Sequence, residues 1–436
     1  MLLKFSVENW MSFRDRSTLS MIATSERQHG ERVPKLNKYR TRILPIAALY
    51  GGNASGKSSF YKALEFSKNF VLYGSGLDMP IWIRPYLLDN ENLAKPVRFT
   101  FEILTDDTVY VYEFAVSREA VQEEKLLLVT GSGEKVLFHR QLDSLMPNKE
   151  LEKNDHLNYA FKGTRKNQLF LTNSVLQKVE NYKPVFNWFK NLTLASPDSI
   201  FQPFDHVSDR TNPLYTDFNL LLNRLDTGIN HVGTEEIKIE SIPFPEGLRS
   251  KILESVPIGK STTVCIEPLG DRLLVKNDGT NVTVSKLVAY HRNQSGSDVK
   301  FDLVDESDGS RRLIDLLPGF LDICRHNSKG VFIIDELDRS LHSLVTRDLI
   351  EQYLGFCTPD SRAQLLFTTH DLQLMDQTLM RRDEMWVTER SADGSSKLFS
   401  FSEFKDVRYD KDIRKSYLQG RLGGVPRIDI SDNNAG

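Results

Sequence analysis

The stretch Gly51-Gly52-Asn53-Ala54-Ser55-Gly56-Lys57-Ser58 constrains this chain more than any other. It matches the pattern G-x-x-x-x-G-K-[ST] and follows a compact apolar run, Ile43 to Tyr50, that fits a buried strand. A helix is expected to start at Lys57 and run to about Tyr73. Glycines let the backbone turn so that successive N–H groups face phosphate oxygens, and the N-terminus of the following helix adds its dipole. Gly51, Gly52, Asn53, Ala54, Ser55, Gly56, Lys57, Ser58 and Ser59 are therefore expected to hold ATP. Lys57 would reach the β- and γ-phosphates and Ser58 would ligate Mg²⁺. A chance glycine turn would not carry an apolar strand before it and a helix pattern after it.

Three further places complete a candidate site. Val331-Phe332-Ile333-Ile334 is an apolar run followed by Asp335 and Glu336. An acid at the C-terminal end of a parallel strand sits in the crevice where ligands bind. Asp335 would hold Mg²⁺, and Glu336 would orient and polarise the attacking water. Leu365-Leu366-Phe367-Thr368-Thr369-His370-Asp371 is a third strand pattern capped by polar groups, which would bring His370 to the γ-phosphate. Glu306-Ser307-Asp308-Gly309-Ser310 precedes a helix that Ser307 can cap, and Gly309 lets the backbone approach a ligand closely. Each of these, taken alone, also reads as an ordinary strand end, a structural histidine or a plain helix start. Beside the phosphate loop the catalytic reading is preferred.

A chain of 436 residues, 40% of them hydrophobic, can bury a sizeable core in two or three units. A net charge of -3 excludes a globally basic nucleic-acid binder but leaves a local basic patch open. Cys265, Cys324 and Cys357 match no metal-ligand spacing and read as reduced core thiols. No stretch reaches the ~18–20 apolar residues of a membrane span. The opening Met1–Val7 alternates like a strand, without a signal-peptide core. The expectation is a soluble, cytoplasmic protein with no membrane contact.

Strand signals at 1–22 and 97–129 suggest an antiparallel β subdomain, the second a hairpin or meander. Residues 23–42 read as a loop, 141–168 as a loop or short helical excursion, 173–235 as mainly helical and 236–290 as short mixed segments with room for a small β-unit. From 298, strands (Phe301–Val304, Val331–Ile334, Leu365–Thr368) alternate with helices (Leu313–Cys324, Leu344–Leu354), which implies a mainly parallel sheet. The last ten residues are polar and expected to fray. Arg311-Arg312 and Arg381-Arg382 read as surface pairs, solvated or salt-bridged, with a contact to phosphate or a partner as the alternative.

In this order, the phosphate loop, Ser307-Asp308-Gly309-Ser310, Asp335-Glu336 and His370 resemble the ABC ATPase family. Ser307–Ser310 is similar to a degenerate signature loop, which in the family touches the γ-phosphate held by the opposite subunit. Ser340-Leu341-His342 lies where the family has its D-loop, with His342 where aspartate is usual. That departure resembles the RecF-like and overcoming-lysogenization-type branch more than the transporters. The glutamine of the family's Q-loop cannot be placed. Phe5–Phe13, Arg381–Trp386 and Tyr417–Pro426 resemble bacterial AAA/ABC-type ATPases of antiphage and abortive-infection systems, nearest those of PARIS-type defence.

The resemblance implies a P-loop ABC-type head: a mainly parallel sheet, an antiparallel β subdomain and a mostly helical insertion. Residues 1–140 would form the N-terminal lobe with the phosphate loop, and 141–290 the insertion with partner or oligomer contacts. Residues 291–436 would be the lobe carrying the signature loop, the two acids and the switch histidine. It further implies a composite-site dimer, likewise higher homo-oligomers, in which Ser307 and Gly309 serve the partner's ATP. The implied partners are a nearby-encoded effector, a TOPRIM-type nuclease, and a phage trigger protein. Two other readings stay open: a RecF/SMC-like DNA-repair ATPase, and an assembly scaffold that uses ATP with little hydrolysis.

Overall fold

The computed structural model describes residues 1–131, 133–146, 154–197, 207, 211–241, 244–266, 271–404 and 413–424. The terminal residues expected to fray, and Val425-Pro426 of the last quoted motif, lie outside them. The chain divides into two compact units. The first comprises Met1–Ser196, His326–Leu337 and Ile350–Gly436, and the second Pro197–Arg325 and Asp338–Leu349. Of residues 141–290, those up to Ser196 fall in the first unit and the rest in the second.

In the first unit, six strands lie in the spatial order Leu192–Ala195, Val331–Ile334, Gln364–Thr368, Ile46–Tyr50, Met385–Arg390 and Ser396–Ser400. Neighbours are parallel except the final pair. Ile46–Tyr50 sits between two parallel neighbours, so all five of its residues are buried and an unbroken apolar run is required. Burying a Val, Leu or Ile side chain there contributes about 1.5–3 kcal/mol each. The strand carrying the phosphate loop and the strand carrying the two acids are separated by Gln364–Thr368, the strand that ends at His370. Gln364 is a buried polar residue in that central strand and is fully used. Its amide nitrogen donates to the carbonyls of Leu2 and Leu44 at 2.9 and 3.1 Å, and its oxygen accepts from Leu2 N–H at 2.5 Å.

A second sheet, antiparallel throughout, has seven strands in the order Ser144–Leu145, Gly133–Gln141, Val121–Thr130, Thr108–Val116, Val97–Thr105, Leu2–Glu8 and Ser17–Ser20. Its inner face packs on the helix Lys57–Tyr73 through aromatic pairs. Phe60 meets Phe5 at 5.2 Å between ring centroids, Phe66 meets Phe99 at 5.3 Å and Phe70 meets Phe114 at 6.0 Å. The β meander expected at 97–129 thus continues to Gln141, and it is the layer that holds the phosphate-loop helix in place. Glu124, buried in this sheet, accepts from Tyr112 Oη at 2.8 Å and from the N–H groups of Phe170 and Leu171 at 2.6 and 2.9 Å. It caps the helix Phe170–Leu176 from outside.

The second unit holds a five-stranded antiparallel sheet. Ile229–Glu236, Val282–Arg292, Asp271–Asn277 and Lys260–Ile266 lie side by side, and Asp298–Asp302 also pairs with Val282–Arg292. The strand expected at Phe301–Val304 therefore ends at Asp302, where Leu303–Asp305 turns into a short 3-10 helix that buries Leu303. The helix Asp308–Ile323 is fixed to this sheet by a buried bidentate pair, Arg272 to Asp315, at 2.6 and 2.7 Å. The unit also holds the helices Pro213–Arg224 and Glu246–Ser255. Among the described residues, 173–235 is mainly helical as expected, and the strands Lys260–Ile266, Asp271–Asn277 and Val282–Arg292 supply the small β-unit expected in 236–290, so 141–290 as a whole is mixed rather than mostly helical.

Candidate functional site

Lys57 begins the helix Lys57–Tyr73 and Gly56 occupies its N-cap in the left-handed region, φ 117°. Gly56 has no side chain with which to cap the helix, so no side-chain acceptor competes for its first N–H groups. Other helices are capped in the ordinary way, by Asn154, Asn212 and Ser307. Ala54 is also left-handed, φ 58°, an uncommon state for a residue with a Cβ and one that recurs at functional loops. Lys57 is 5% exposed, and its Nζ donates to the carbonyls of Gly51 and Gly52 at 2.8 and 3.2 Å. The same Nζ lies 3.5 Å from His370 Nδ1.

The loop is braced from the neighbouring strand. Thr388 Oγ1 is 2.6 Å from Ser55 Oγ and donates to the carbonyl of Tyr50 at 3.2 Å. Trp10 Nε1 donates to the Ser59 carbonyl at 3.0 Å, which ties the quoted Phe5–Phe13 motif to the first turn of the helix.

Both acids are organised by one hydroxyl. Thr368 Oγ1 donates to Asp335 Oδ1 at 2.6 Å and accepts from the Glu336 N–H at 2.8 Å. Asp335 is 4% exposed. Glu336 adopts φ 51°, so the chain turns sharply at the strand end and delivers the carboxylate to the cavity. Such a conformation costs a residue with a Cβ about 1–2 kcal/mol. Burial holds Glu65, on the phosphate-loop helix, above the usual carboxylate range; Lys62 opposes this and the charge of Asp335 adds to it.

Asn53–Ser59, Glu336 and His370 all line one cavity of about 990 Å³. Sequence reasoning missed the rest of its wall. Ser12 and Met11 come from the N-terminal turn, and Tyr86, Leu87 and Leu88 from the segment after the helix. Leu87 and Leu88 are 70% and 65% exposed, an apolar wall of the kind that suits a base. Arg84, Arg118 and Arg390 also line it, and among the described residues no glutamine does. Met11 and Ser12 lie in the quoted Phe5–Phe13 motif, at a turn with Asn9 and Met11 at positive φ, but nothing in the sequence pattern places that turn against the phosphate loop.

Ser307 and Gly309 belong to the second unit. Ser307 is the N-cap of Asp308–Ile323 as expected, accepting from Ser310 N–H at 3.0 Å. Gly309 meets the backbone of the expected D-loop: a Cβ on it would lie 2.7 Å from the Ser340 carbonyl. His342 accepts from Leu344 N–H through Nδ1 at 3.2 Å and so caps the helix Ser343–Phe356, the capping role an aspartate would also fill. Arg381 is not a surface residue but fully buried, and it grips Asp383 through two bonds at 2.8 and 2.7 Å. Arg311 pairs with the exposed Asp308, whereas Arg312 is buried.

A strand order with the acid-bearing strand one place removed from the phosphate-loop strand, an antiparallel sheet over the helix, and a cavity shared by lysine, glutamate and histidine define the class: a P-loop head of the ABC type. The chain belongs to the family described as "AAA domain, putative AbiEii toxin, Type IV TA system", whose model matches residues 46–376. Among solved structures, the chain is similar to the SMC head domain from Thermotoga maritima at 13% identity and a TM-score of 0.36, over 92% of this chain and 98% of that one. It is similar to the SmcHead bound to the C-winged helix domain of ScpA at 12% identity and a TM-score of 0.36, over 92% and 97% of the two chains. No curated protein matches the sequence. No helix among the described residues is long and apolar enough to cross a membrane.

Proposed function

We propose that the chain binds and hydrolyses ATP and uses the nucleotide to control a partner protein in an antiphage or abortive-infection system. One observation carries the reading: Lys57, Glu336 and His370, from three strand ends, line a single cavity with the phosphate loop. Lys57 and the loop N–H groups neutralise the triphosphate. His370, beside Lys57, meets the γ-phosphate. Glu336 accepts a proton from the attacking water, its placement fixed by the Thr368 hydroxyl. A serine hydroxyl and a buried carboxylate are hard oxygen donors, which suits Ser58 and Asp335 to Mg²⁺. The ion would offset charge on the β- and γ-phosphate oxygens when bound.

Two copies would close around two ATP molecules, each held by Lys57 and Ser58 of one chain and by Ser307 and Gly309 of the other. The close fit of Gly309 on Ser340 supports this, because it presents a rigid backbone surface rather than a flexible loop. The family description, with its toxin–antitoxin association, favours a defence role over DNA repair. The partner would be a toxic effector, of the TOPRIM nuclease kind used in PARIS-type defence, released when a phage protein is sensed.

The test is a pull-down of tagged Glu336→Gln protein expressed with its native neighbouring genes, read by mass spectrometry and native mass. A stoichiometric partner retained only with ATP is the expected result. A lone dimer that retains DNA in a strongly salt-sensitive manner would replace this reading with the repair-type ATPase.

A further inference from the structure

The described residues of the motif Tyr417–Pro426 do not line the cavity, yet they touch the phosphate loop. The Gly52 N–H donates to the Gly424 carbonyl at 3.1 Å. The Tyr417 hydroxyl donates to that same carbonyl at 2.7 Å. Tyr417 lies on the helix Ile413–Leu418, is 3% exposed, and packs edge-on against Phe401 at 6.3 Å between centroids. Burial, with the charge of Glu389, pushes its phenol up to about 12, so it stays a donor at any physiological pH.

Gly423 and Gly424 are both left-handed, φ 68° and 73°. A Cβ on Gly424 would collide with Val387 Cγ1, and one on Gly423 would lie 2.8 Å from Glu389 Oε2. Val387 and Glu389 flank Thr388 on Met385–Arg390, the strand that braces Ser55. Two consecutive residues without side chains are thus what lets this turn reach the loop.

We infer that Tyr417 and Gly424 are positioning residues for the phosphate loop, and that Ile413–Gly424 is a strap whose order is coupled to nucleotide occupancy. This rests on ATP binding at Lys57. A loop that must present its N–H groups to phosphate binds more tightly when its backbone is already fixed, and Gly52 is fixed by the strap. Coupling is reciprocal, so whatever the strap adds to nucleotide affinity, the nucleotide adds to the order of the strap.

The experiment is hydrogen exchange by mass spectrometry on the full-length protein and Tyr417→Phe, each with and without the non-hydrolysable ATP analogue AMPPNP and Mg²⁺. Affinity for the analogue and Tm are measured in parallel. In nucleotide-free Tyr417→Phe, exchange in the peptide spanning Gly51–Gly56 should rise while Tm moves by less than about 2 °C. Affinity should weaken roughly fivefold, the scale of one hydrogen bond. In the unaltered protein the analogue should protect residues 413–424. Exchange at Gly51–Gly56 and affinity both unchanged in Tyr417→Phe would overturn the inference. So would a strap in the unaltered protein whose exchange ignores bound analogue, a readout that holds even if Tyr417→Phe fails to fold. Failure of the unaltered protein to bind the analogue would instead refute the ATP site, and the nucleotide-free exchange comparison would still test the contact between strap and loop.

Discussion

Thr368 shows how much of a site can depend on a single hydroxyl. It bonds the carboxylate of Asp335 and the backbone of Glu336, and it is buried with Asp335. Thr368→Val keeps the β-branched shape of the strand but removes both of these hydrogen bonds. It should cost about 2 kcal/mol in urea denaturation and lower phosphate release more than tenfold, and Thr368→Ser should restore most of both. Glu336 offers a sharper separation of stability from chemistry. Because its φ of 51° is unfavourable for any residue with a Cβ, Glu336→Gly should melt at or above the unaltered protein while losing ATP turnover. Glu336→Gln should also stop turnover, and should retain nucleotide. Asp335 and Glu336 were legible in the sequence because an apolar run ends abruptly in two acids. Thr368 stood in the next such run, but nothing in one dimension says that its hydroxyl crosses to the neighbouring strand.

At the scale of elements, the boundaries that glycines mark were the most readable. The helix Lys57–Tyr73 begins after Gly56 and ends before Gly74, as its sequence pattern requires. Charge was the least readable. Arg381-Arg382-Asp383-Glu384 looks like a surface run, yet Arg381 and Glu384 are both fully buried, because each finds partners far away in sequence. Glu384 accepts from Arg32 at 2.7 Å and from the Arg381 N–H at 2.8 Å, which turns the charged run into the anchor of the strand Met385–Arg390. Burial raises Glu384 from 4.5 to about 7, against the pull of Arg32. The folded chain therefore holds a proton there that the unfolded chain has already released between those two values. Its contribution to stability is present at low pH and falls as pH rises from about 4.5 through about 7. The Tm of Glu384→Gln relative to the unaltered protein should accordingly improve from pH 5 to pH 8, and a constant difference would refute this linkage. In the second unit, Gly309→Ala should push against the Ser340 carbonyl, a backbone atom that cannot swing aside. ATP turnover should then lose its dependence on protein concentration, while analogue binding by the single chain persists.

For the whole molecule, the class of fold was readable from four short motifs in order, whereas the assembly of the sheets was not. No periodicity announces that Leu192–Ala195 becomes an edge strand beside Val331–Ile334, because pairing between strands so distant in sequence leaves no local mark. Self-association also belongs to this scale. Glu336→Gln with ATP and Mg²⁺ should appear as a dimer or a multiple of it by native mass, and Lys57→Ala should remain a monomer under the same conditions. The strand order carries one more consequence, for biosynthesis. Ile46–Tyr50 is made early, but its two sheet neighbours, Gln364–Thr368 and Met385–Arg390, leave the ribosome some three hundred residues later. Throughout that interval a wholly apolar segment has nothing to pair with, and closing so long a loop is slow. Synthesis of this chain should therefore lean on chaperones that shield the segment, and ribosome-bound chains halted before Gln364 should be cut by protease within the phosphate loop where finished chains are not.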